Sequence, residues 1–260
     1  MKSMKFYPRT YRYLENNFLK SAIYYIGIFL VPLFFGLIMH MEKLTNMFSH
    51  AACEILRGAL PGRIFQVAGT SFWTGKTVCY VKMTEEMPMP LHLDMQILIA
   101  ALIFLFTVTG KRAGRPFFLF LAFEDLGFMI NGVFFRFWAS DFPYSVNDFS
   151  ELYIRQQMWI LIAFIVLFGI GTSCLGNRKY GFRLFVTLLF ALYTVLFAFV
   201  RYVVFLYVLS KHSMLYMFTM YFTFGPLFDC LNMVTCYGLM MNGIIKSLSG
   251  DESGKVWLWS

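Results

Sequence analysis

Residues 83–95, MTEEMPMPLHLDM, combine methionine, histidine and carboxylate side chains within thirteen positions. Methionine thioethers stand beside His92 and the carboxylates of Glu85, Glu86 and Asp94, directly before a long apolar run. Methionine and histidine would suit Cu(I), because soft thioether ligands select it. A degenerate catalytic turn and an ordinary methionine-rich loop are the alternatives. Methionines also occur where they have no ligand partners, so no metal or other cofactor is expected.

Charged residues inside apolar runs form the second set. Glu124, Asp125 and Arg136 share one such run, while Arg201 and Asp229 lie in two later ones. A charge at the centre of a bilayer costs about 2.5–3.5 kcal/mol on insertion scales, so each is a functional hypothesis. At a helical rise of about 1.5 Å per residue, Arg201 and Asp229 would differ by about 12 Å in depth. The sequence therefore predicts that these two residues do not pair directly unless Arg201 reaches inward.

The composition explains why these charges matter. Of 260 residues, 59% are hydrophobic, 20% aromatic and only 14% charged, whereas soluble domains average about 45–50% apolar and about 25% charged. With a mean hydropathy of +0.64, the chain is expected to be an integral membrane protein surrounded by lipid. Membrane lipids are therefore expected partners. The net charge of +8 is attributed to cytoplasmic loops, so nucleic acid is not an expected partner.

The apolar runs predict an all-α integral membrane fold, with residues 1–260 forming a single membrane domain. Spanning helices need about 20 apolar residues each. Lysine and arginine concentrate in the segments that a cytoplasmic N-terminus would place inside, so the positive-inside rule predicts an N-in, C-in orientation. The six predicted spans are 21–41, 91–110, 116–139, 157–175, 184–209 and 213–243.

The outer-facing subregion, residues 42–90, has structure of its own in this prediction. Apolar residues at helical spacing within 44–57, stopped by Gly58, predict a short interfacial helix. The following stretch, rich in Val, Phe, Thr and Tyr around a Thr-Gly-Lys turn, predicts a small β-hairpin. Cys53 and Cys79 both fall in this subregion, so a disulfide between them is an open alternative in an oxidising compartment.

Two stretches of sequence carry a resemblance to a known family. GTSFWTGKTVCYVKM and LIAALIFLFTVTGKRAGRPFFLFLAFEDLGFMINGVFFRF resemble the core of the exosortase/archaeosortase family, over residues 45–170. Members are membrane transpeptidases of prokaryotes that process the C-terminal anchors of exported proteins. The resemblance implies a multi-pass protein of the prokaryotic inner (plasma) membrane, with C-terminal segments of exported proteins as partners.

The family's catalytic set transfers only in part. It consists of a cysteine at the outer start of one helix, an arginine at the outer end of the next, and a histidine or arginine outside the third. Arg136 matches the first arginine, although Val133 stands where the family has asparagine, and Arg155 lies near the third position. No cysteine occurs between 87 and 95, which leaves Cys79 as the candidate nucleophile. Residues expected to bind substrate are Glu86, His92, Asp94, Asn131 and Tyr153.

Three classes of function remain open from the sequence. A cysteine transpeptidase or protease requires a thiolate, which methionine cannot replace. If the nucleophile is absent, the chain would be a non-enzymatic membrane scaffold or binding subunit. A small proton-coupled transporter is the third class, and it would need Glu124, Asp125, Arg201 and Asp229 to meet at one midplane cavity.

Overall fold

The computed structural model describes residues 12–13, 23–72, 75–84, 90–109, 115–173, 180–249 and 258–259. This part of the chain is mostly helical. One turn of π-helix, Ile26–Leu30, leads into the first helix. The helices are α1 (Val31–Ala59), α2 (Pro90–Thr109), α3 (Pro116–Trp138), α4 (Val146–Ser173), α5 (Tyr180–Lys211), α6 (Met217–Phe222) and α7 (Phe228–Ser249), and the strands are β1 (Arg12–Tyr13), β2 (Phe65–Ser71), β3 (Thr77–Met83) and β4 (Leu258–Trp259).

Within the described residues, four helical segments are long and apolar enough to cross a membrane: Ile23–Ala59, Pro116–Asp141, Val146–Gly171 and Leu184–Lys211. The apolar part of α2, Leu93–Thr109, is shorter. These segments confirm a helical protein of multi-pass membrane type, while six spans and their orientation stay predictions.

The separate interfacial helix expected within 44–57 is the second half of α1. The helix runs from Val31 to Ala59 without interruption, because residues 41–46, MEKLTN, contain neither glycine nor proline to end it. Phe48, Ala52 and Leu56 of the predicted apolar face are buried, whereas Ile55 is half exposed. The helical periodicity was therefore correct and the expected boundary was wrong.

The predicted β-hairpin is confirmed. Strands β2 and β3 pair antiparallel from Phe65 opposite Met83 to Ser71 opposite Thr77. Gly75 occupies the turn with φ of +73°, a left-handed conformation that glycine adopts without the steric cost of a side chain. The Thr-Gly-Lys signal in the sequence thus placed the turn correctly.

Helix α1 supplies hydrogen bonds to the free edge of β3. The Cys79 N–H donates to Thr45 Oγ1 at 3.2 Å, and Ser49 Oγ donates to the Cys79 carbonyl oxygen at 2.8 Å. Unpaired edge groups attract other strands or lose hydrogen bonds when they are buried. Thr45 and Ser49, both buried, satisfy this part of the edge.

Helices α4 and α5 complete the edge of β3. The Val81 N–H donates to Tyr202 Oη at 2.9 Å, and Ser150 Oγ donates to the Val81 carbonyl at 2.7 Å. One step along, the Met83 N–H donates to Asn147 Oδ1 at 2.9 Å. The hairpin is therefore fixed to three helices through hydroxyl and amide side chains.

The chain divides into two compact units. One contains Met1–Met39, Trp159–Val195 and Leu231–Ser260, and the other His40–Met158 and Leu196–Cys230. In the described part of the first unit, Tyr25 hydrogen-bonds Thr187 at 3.2 Å. In the second unit, the buried Tyr153 and Tyr202 rings stack with centroids 5.4 Å apart.

Helices α2 and α3 pack against each other in the second unit, with Gly132 at a close approach. A Cβ atom at Gly132 would lie 2.8 Å from Ile97 Cγ1, closer than two carbon atoms can approach. Gly132 therefore sets the separation of the two helices that carry the site described below.

We expect Gly132→Ala to lower the free energy of unfolding by about 1–3 kcal/mol, because the added methyl group overpacks the α2–α3 contact. Unfolding in mixed detergent micelles would measure the change. Gly238→Ala in α7 is the matched control, since nothing lies within 4 Å of its added Cβ and alanine has the higher helix propensity. Equal stability of both variants would refute the close approach.

Candidate functional site

Arg201 is the centre of a buried polar cluster in the second unit. Its Nη1 donates to the carbonyl oxygens of Phe224 at 2.6 Å and Gly225 at 3.2 Å. Its Nη2 forms an ion pair with Asp229 Oδ1 and reaches Gln157 Oε1 at 3.4 Å. Gln157 Nε2 donates in turn to Asp229 Oδ2 at 3.0 Å. These five residues are the Arg201 cluster.

A break between α6 and α7 makes the two carbonyls accessible to Arg201. Residues Thr223–Leu227 form a π-helical turn, within which Gly225 has non-helical dihedrals of φ −90° and ψ −109°. Pro226 follows and cannot donate a backbone hydrogen bond. Buried backbone polar groups outside regular helix need hydrogen-bond partners within the protein, and the guanidinium supplies them to Phe224 and Gly225.

The predicted separation of Arg201 and Asp229 is wrong. It assumed one straight helix over 213–243, whereas the chain forms a 3-10 turn at Met214–Tyr216, the six-residue α6 and then the break. The regular rise of 1.5 Å per residue does not apply across such a path. Both carboxylate oxygens of Asp229 accept hydrogen bonds within the cluster.

The surroundings of Cys79, the candidate nucleophile, disfavour the thiolate that a nucleophilic cysteine requires. Burial raises the pKa of its thiol, the Glu42 carboxylate raises it further, and a hydrogen bond with Thr45 lowers it only in part. A reactive cysteine needs a neighbouring cation that favours the thiolate, and no cation in the described part of the chain lowers this pKa. Cys53 and Cys79 are both free thiols, so the alternative of a disulfide is wrong.

The two arginines of the expected catalytic set are bound to different carboxylates. Arg136 Nε pairs with Asp94 Oδ1 at 2.9 Å, and Arg155 Nη1 pairs with Glu151 Oε1 at 3.0 Å. Arg136 and Asp94 are 42% and 54% exposed, so their pair is surface-like. The structure brings Arg136 and Asp94 together. Neither arginine hydrogen-bonds Cys79 in the described part of the chain.

The expected substrate-binding residues have structural partners or lie outside the described residues. The Tyr153 hydroxyl is buried and donates to the Ala198 carbonyl at 3.1 Å. Asn131 Nδ2 donates to the Leu215 carbonyl. Glu86 lies outside the described residues, as does the side chain of His92.

A cavity of about 430 Å³ lies among α2, α3 and the turn between α5 and α6, and we call it the α2–α3 cavity. Its lining is largely apolar, with Ile99 on α2 and Phe128 on α3 among its walls. Three of its polar lining residues are Gln96, Asp125 and His212. A concave, mostly apolar site with a few polar groups is the usual form of a small-molecule pocket.

Two buried polar atoms of this lining have no hydrogen-bond partner in the described part of the chain: Asp125 Oδ2 and Gln96 Nε2. Asp125 is only 8% exposed, and a buried carboxylate oxygen without a donor is costly. Orphaned atoms at a cavity wall indicate a missing partner. Arg201 Nε and Gln156 Oε1 are also unpartnered, but the other nitrogens of Arg201 are bonded within its cluster.

Sequence reasoning identified Asp125 by the cost of its charge but missed Gln96. A single neutral amide near the start of an apolar helix carries no charge signal, and Gln96 becomes notable only because it lines the same cavity as Asp125. The four residues of the transporter hypothesis do not share one site, because Arg201 and Asp229 belong to the Arg201 cluster and Asp125 lines the cavity.

Comparisons with protein-family models, curated proteins and solved structures return no match. The fold and the site themselves define the class of protein. The chain is a helical membrane protein of multi-pass type with a small β-hairpin, a buried ion-pair cluster and a separate cavity with unsatisfied polar groups.

Replacing Arg201 by methionine should lower the free energy of unfolding by about 3–5 kcal/mol, because Asp229 is left buried without its cation. The double variant Arg201→Met, Asp229→Leu should recover part of this loss. Arg155→Met, which removes a half-exposed pair, should change stability by at most about 1 kcal/mol. Detergent unfolding of the four proteins measures all three effects, and similar losses from Arg201→Met and Arg155→Met would contradict the buried cluster.

Alkylation of Cys79 by iodoacetamide should be slow at neutral pH and accelerate only above the ordinary pKa of a cysteine thiol. The raised pKa keeps the unreactive thiol form to higher pH. A variant retaining Cys79 as its sole cysteine, followed by mass spectrometry across pH, gives the midpoint, and free glutathione serves as the reference. A midpoint below that of glutathione would restore Cys79 as a nucleophile.

Proposed function

We propose that the protein is a non-enzymatic membrane protein that binds a small amphiphilic molecule in the α2–α3 cavity. The observation that carries the proposal is the pair of orphaned atoms, Asp125 Oδ2 and Gln96 Nε2, in the lining of one cavity. A bound molecule would give both atoms a partner and would fill the apolar remainder of the site.

The position of the cavity favours a ligand that arrives from the bilayer. Ile99 and Ile103 line the cavity and are also half exposed on the flank of α2. Helix α3, which forms the facing wall, is part of a segment long and apolar enough to span a membrane. An opening on an apolar flank admits a molecule with an apolar tail, whose polar group then reaches Asp125.

The size of the cavity favours a small molecule over a peptide. At about 430 Å³ it falls in the usual range for small-molecule sites, about 300–1,000 Å³. A membrane anchor of about 20 residues in helical form has a diameter of about 10–12 Å and is far larger. The C-terminal segment of an exported protein is therefore the weaker candidate for this site.

In this proposal, any relation to the exosortase/archaeosortase family is limited to the scaffold. The hairpin and the α2–α3 pair fall within residues 45–170, but the thiol has no activating cation in the described part of the chain. The proposal keeps six spans with an N-in, C-in orientation in a prokaryotic plasma membrane. The start of α2, and with it Gln96, then lies toward the outer face.

A photoactivatable fatty alcohol tests the proposal directly. In protein reconstituted into lipid nanodiscs, a medium-chain alcohol carrying a diazirine should label peptides from α2 and α3, and excess unlabelled alcohol should suppress the labelling. Ala100→Phe should abolish saturable labelling, because Ala100 lines the cavity and is buried.

The matched control is Leu102→Phe, which adds an aromatic ring at an exposed position of the same helix. It should leave saturable labelling intact. Labelling that does not saturate, or that is the same in both variants, would show that the cavity does not bind such a molecule.

A further inference from the structure

The chemical character of the α2–α3 cavity restricts its ligand further, on the assumption that the proposed function holds. Asp125 contributes a carboxylate oxygen that lacks a donor, and Gln96 contributes an amide nitrogen that lacks an acceptor. A single ligand that satisfies both must donate a hydrogen bond at one atom and accept one at another.

The lining supplies no cation for the carboxylate. Among the described lining residues, His212 is the one basic side chain; it is exposed, and neither an ion pair nor a hydrogen bond joins it to Asp125. A positive group on the ligand would therefore be the counter-charge that Asp125 lacks.

Aromatic rings add to this preference. Phe128 and Tyr216 both line the cavity, and their ring centroids lie 6.3 Å apart in an edge-to-face arrangement. A cation near the face of an aromatic ring is attracted by the ring quadrupole. A carboxylate together with two aromatic rings in a largely apolar cavity is suited to an organic cation.

We infer that the cavity binds a long-chain primary amine that also carries a hydroxyl group, an amphiphilic amino alcohol. Its ammonium donates to Asp125 Oδ2, its oxygen accepts from Gln96 Nε2, and its tail lies against Ile99 and Ile103 on the flank of α2. A quaternary ammonium carries the same charge but has no N–H, so it leaves Asp125 Oδ2 unsatisfied.

Competition against the photoactivatable fatty alcohol measures this preference in wild-type protein. The competitors are dodecylamine, dodecanol, dodecyltrimethylammonium and the dodecyl amino alcohol with its amine and hydroxyl on neighbouring carbons. Dodecylamine should compete at about tenfold to a hundredfold lower concentration than dodecanol, because a charge-assisted hydrogen bond replaces a neutral one. The amino alcohol should be better again, by about twofold to tenfold.

Variants then assign the preference to residues. Asp125→Asn, which preserves the shape of the side chain, should remove the advantage of dodecylamine over dodecanol. Gln96→Leu should remove the added advantage of the amino alcohol. Asp141→Asn is the control, since Asp141 is an exposed carboxylate in the 3-10 turn after α3 and does not line the cavity, and it should change neither ratio.

The outcomes separate the two proposals. Equal competition by dodecylamine and dodecanol, both abolished by Ala100→Phe, overturns the amine inference and leaves the cavity as a binding site. A preference for dodecylamine that survives Asp125→Asn, or equal competition by the trimethylammonium compound, also overturns it. Failure of every competitor, together with unsaturable labelling, removes the proposed function itself.

Discussion

The ion pair between Arg201 and Asp229 stabilises the buried polar interior of the second unit. A chain with so few charged residues still buries a guanidinium and a carboxylate, which is stable only because each is also hydrogen-bonded. Gln157 donates a hydrogen bond to Asp229, and the carbonyls of Phe224 and Gly225 accept hydrogen bonds from Arg201. The same contacts stabilise the break before α7, so the course of the chain from α5 to α7 depends on one ion pair.

Buried polar groups of the hairpin also need hydrogen-bond partners. The edge of β3 that does not pair with β2 lies against helices. Five side chains form hydrogen bonds with backbone groups that would otherwise be unpaired at this edge. The donors and acceptors come from α1, α4 and α5, so three helices and one strand are fixed together by short hydrogen bonds. The five residues are Thr45, Ser49, Asn147, Ser150 and Tyr202.

Against this background of satisfied groups, Asp125 and Gln96 are distinctive. Arg201 Nε and Gln156 Oε1 are also unpartnered, but only the atoms of Asp125 and Gln96 belong to residues that line the α2–α3 cavity in the described part of the chain. Asp229, in contrast, is bonded through both of its oxygens. The two buried carboxylates therefore have different roles in this proposal. Asp229 stabilises the fold, and Asp125 is available to a ligand.

The features that the sequence could predict depend on local chemistry. The hairpin followed from β-branched residues around a glycine turn, and Asp125 followed from the cost of a charge in an apolar run. The Arg201–Asp229 pair could not be predicted, because its geometry depends on a break in the helix. An estimate of depth from the number of residues assumes that the helix is straight. The expected boundary inside α1 failed for a related reason, since apolar periodicity shows which face is buried but not where a helix begins.

A high-resolution structure of the protein in nanodiscs with the amino alcohol present tests the central claim most directly. The account predicts ligand density in the α2–α3 cavity, with its nitrogen within hydrogen-bond distance of Asp125 Oδ2 and its oxygen near Gln96 Nε2. A closed cavity in which Asp125 is hydrogen-bonded to a donor of the protein itself would contradict the account, because the carboxylate would then need no ligand.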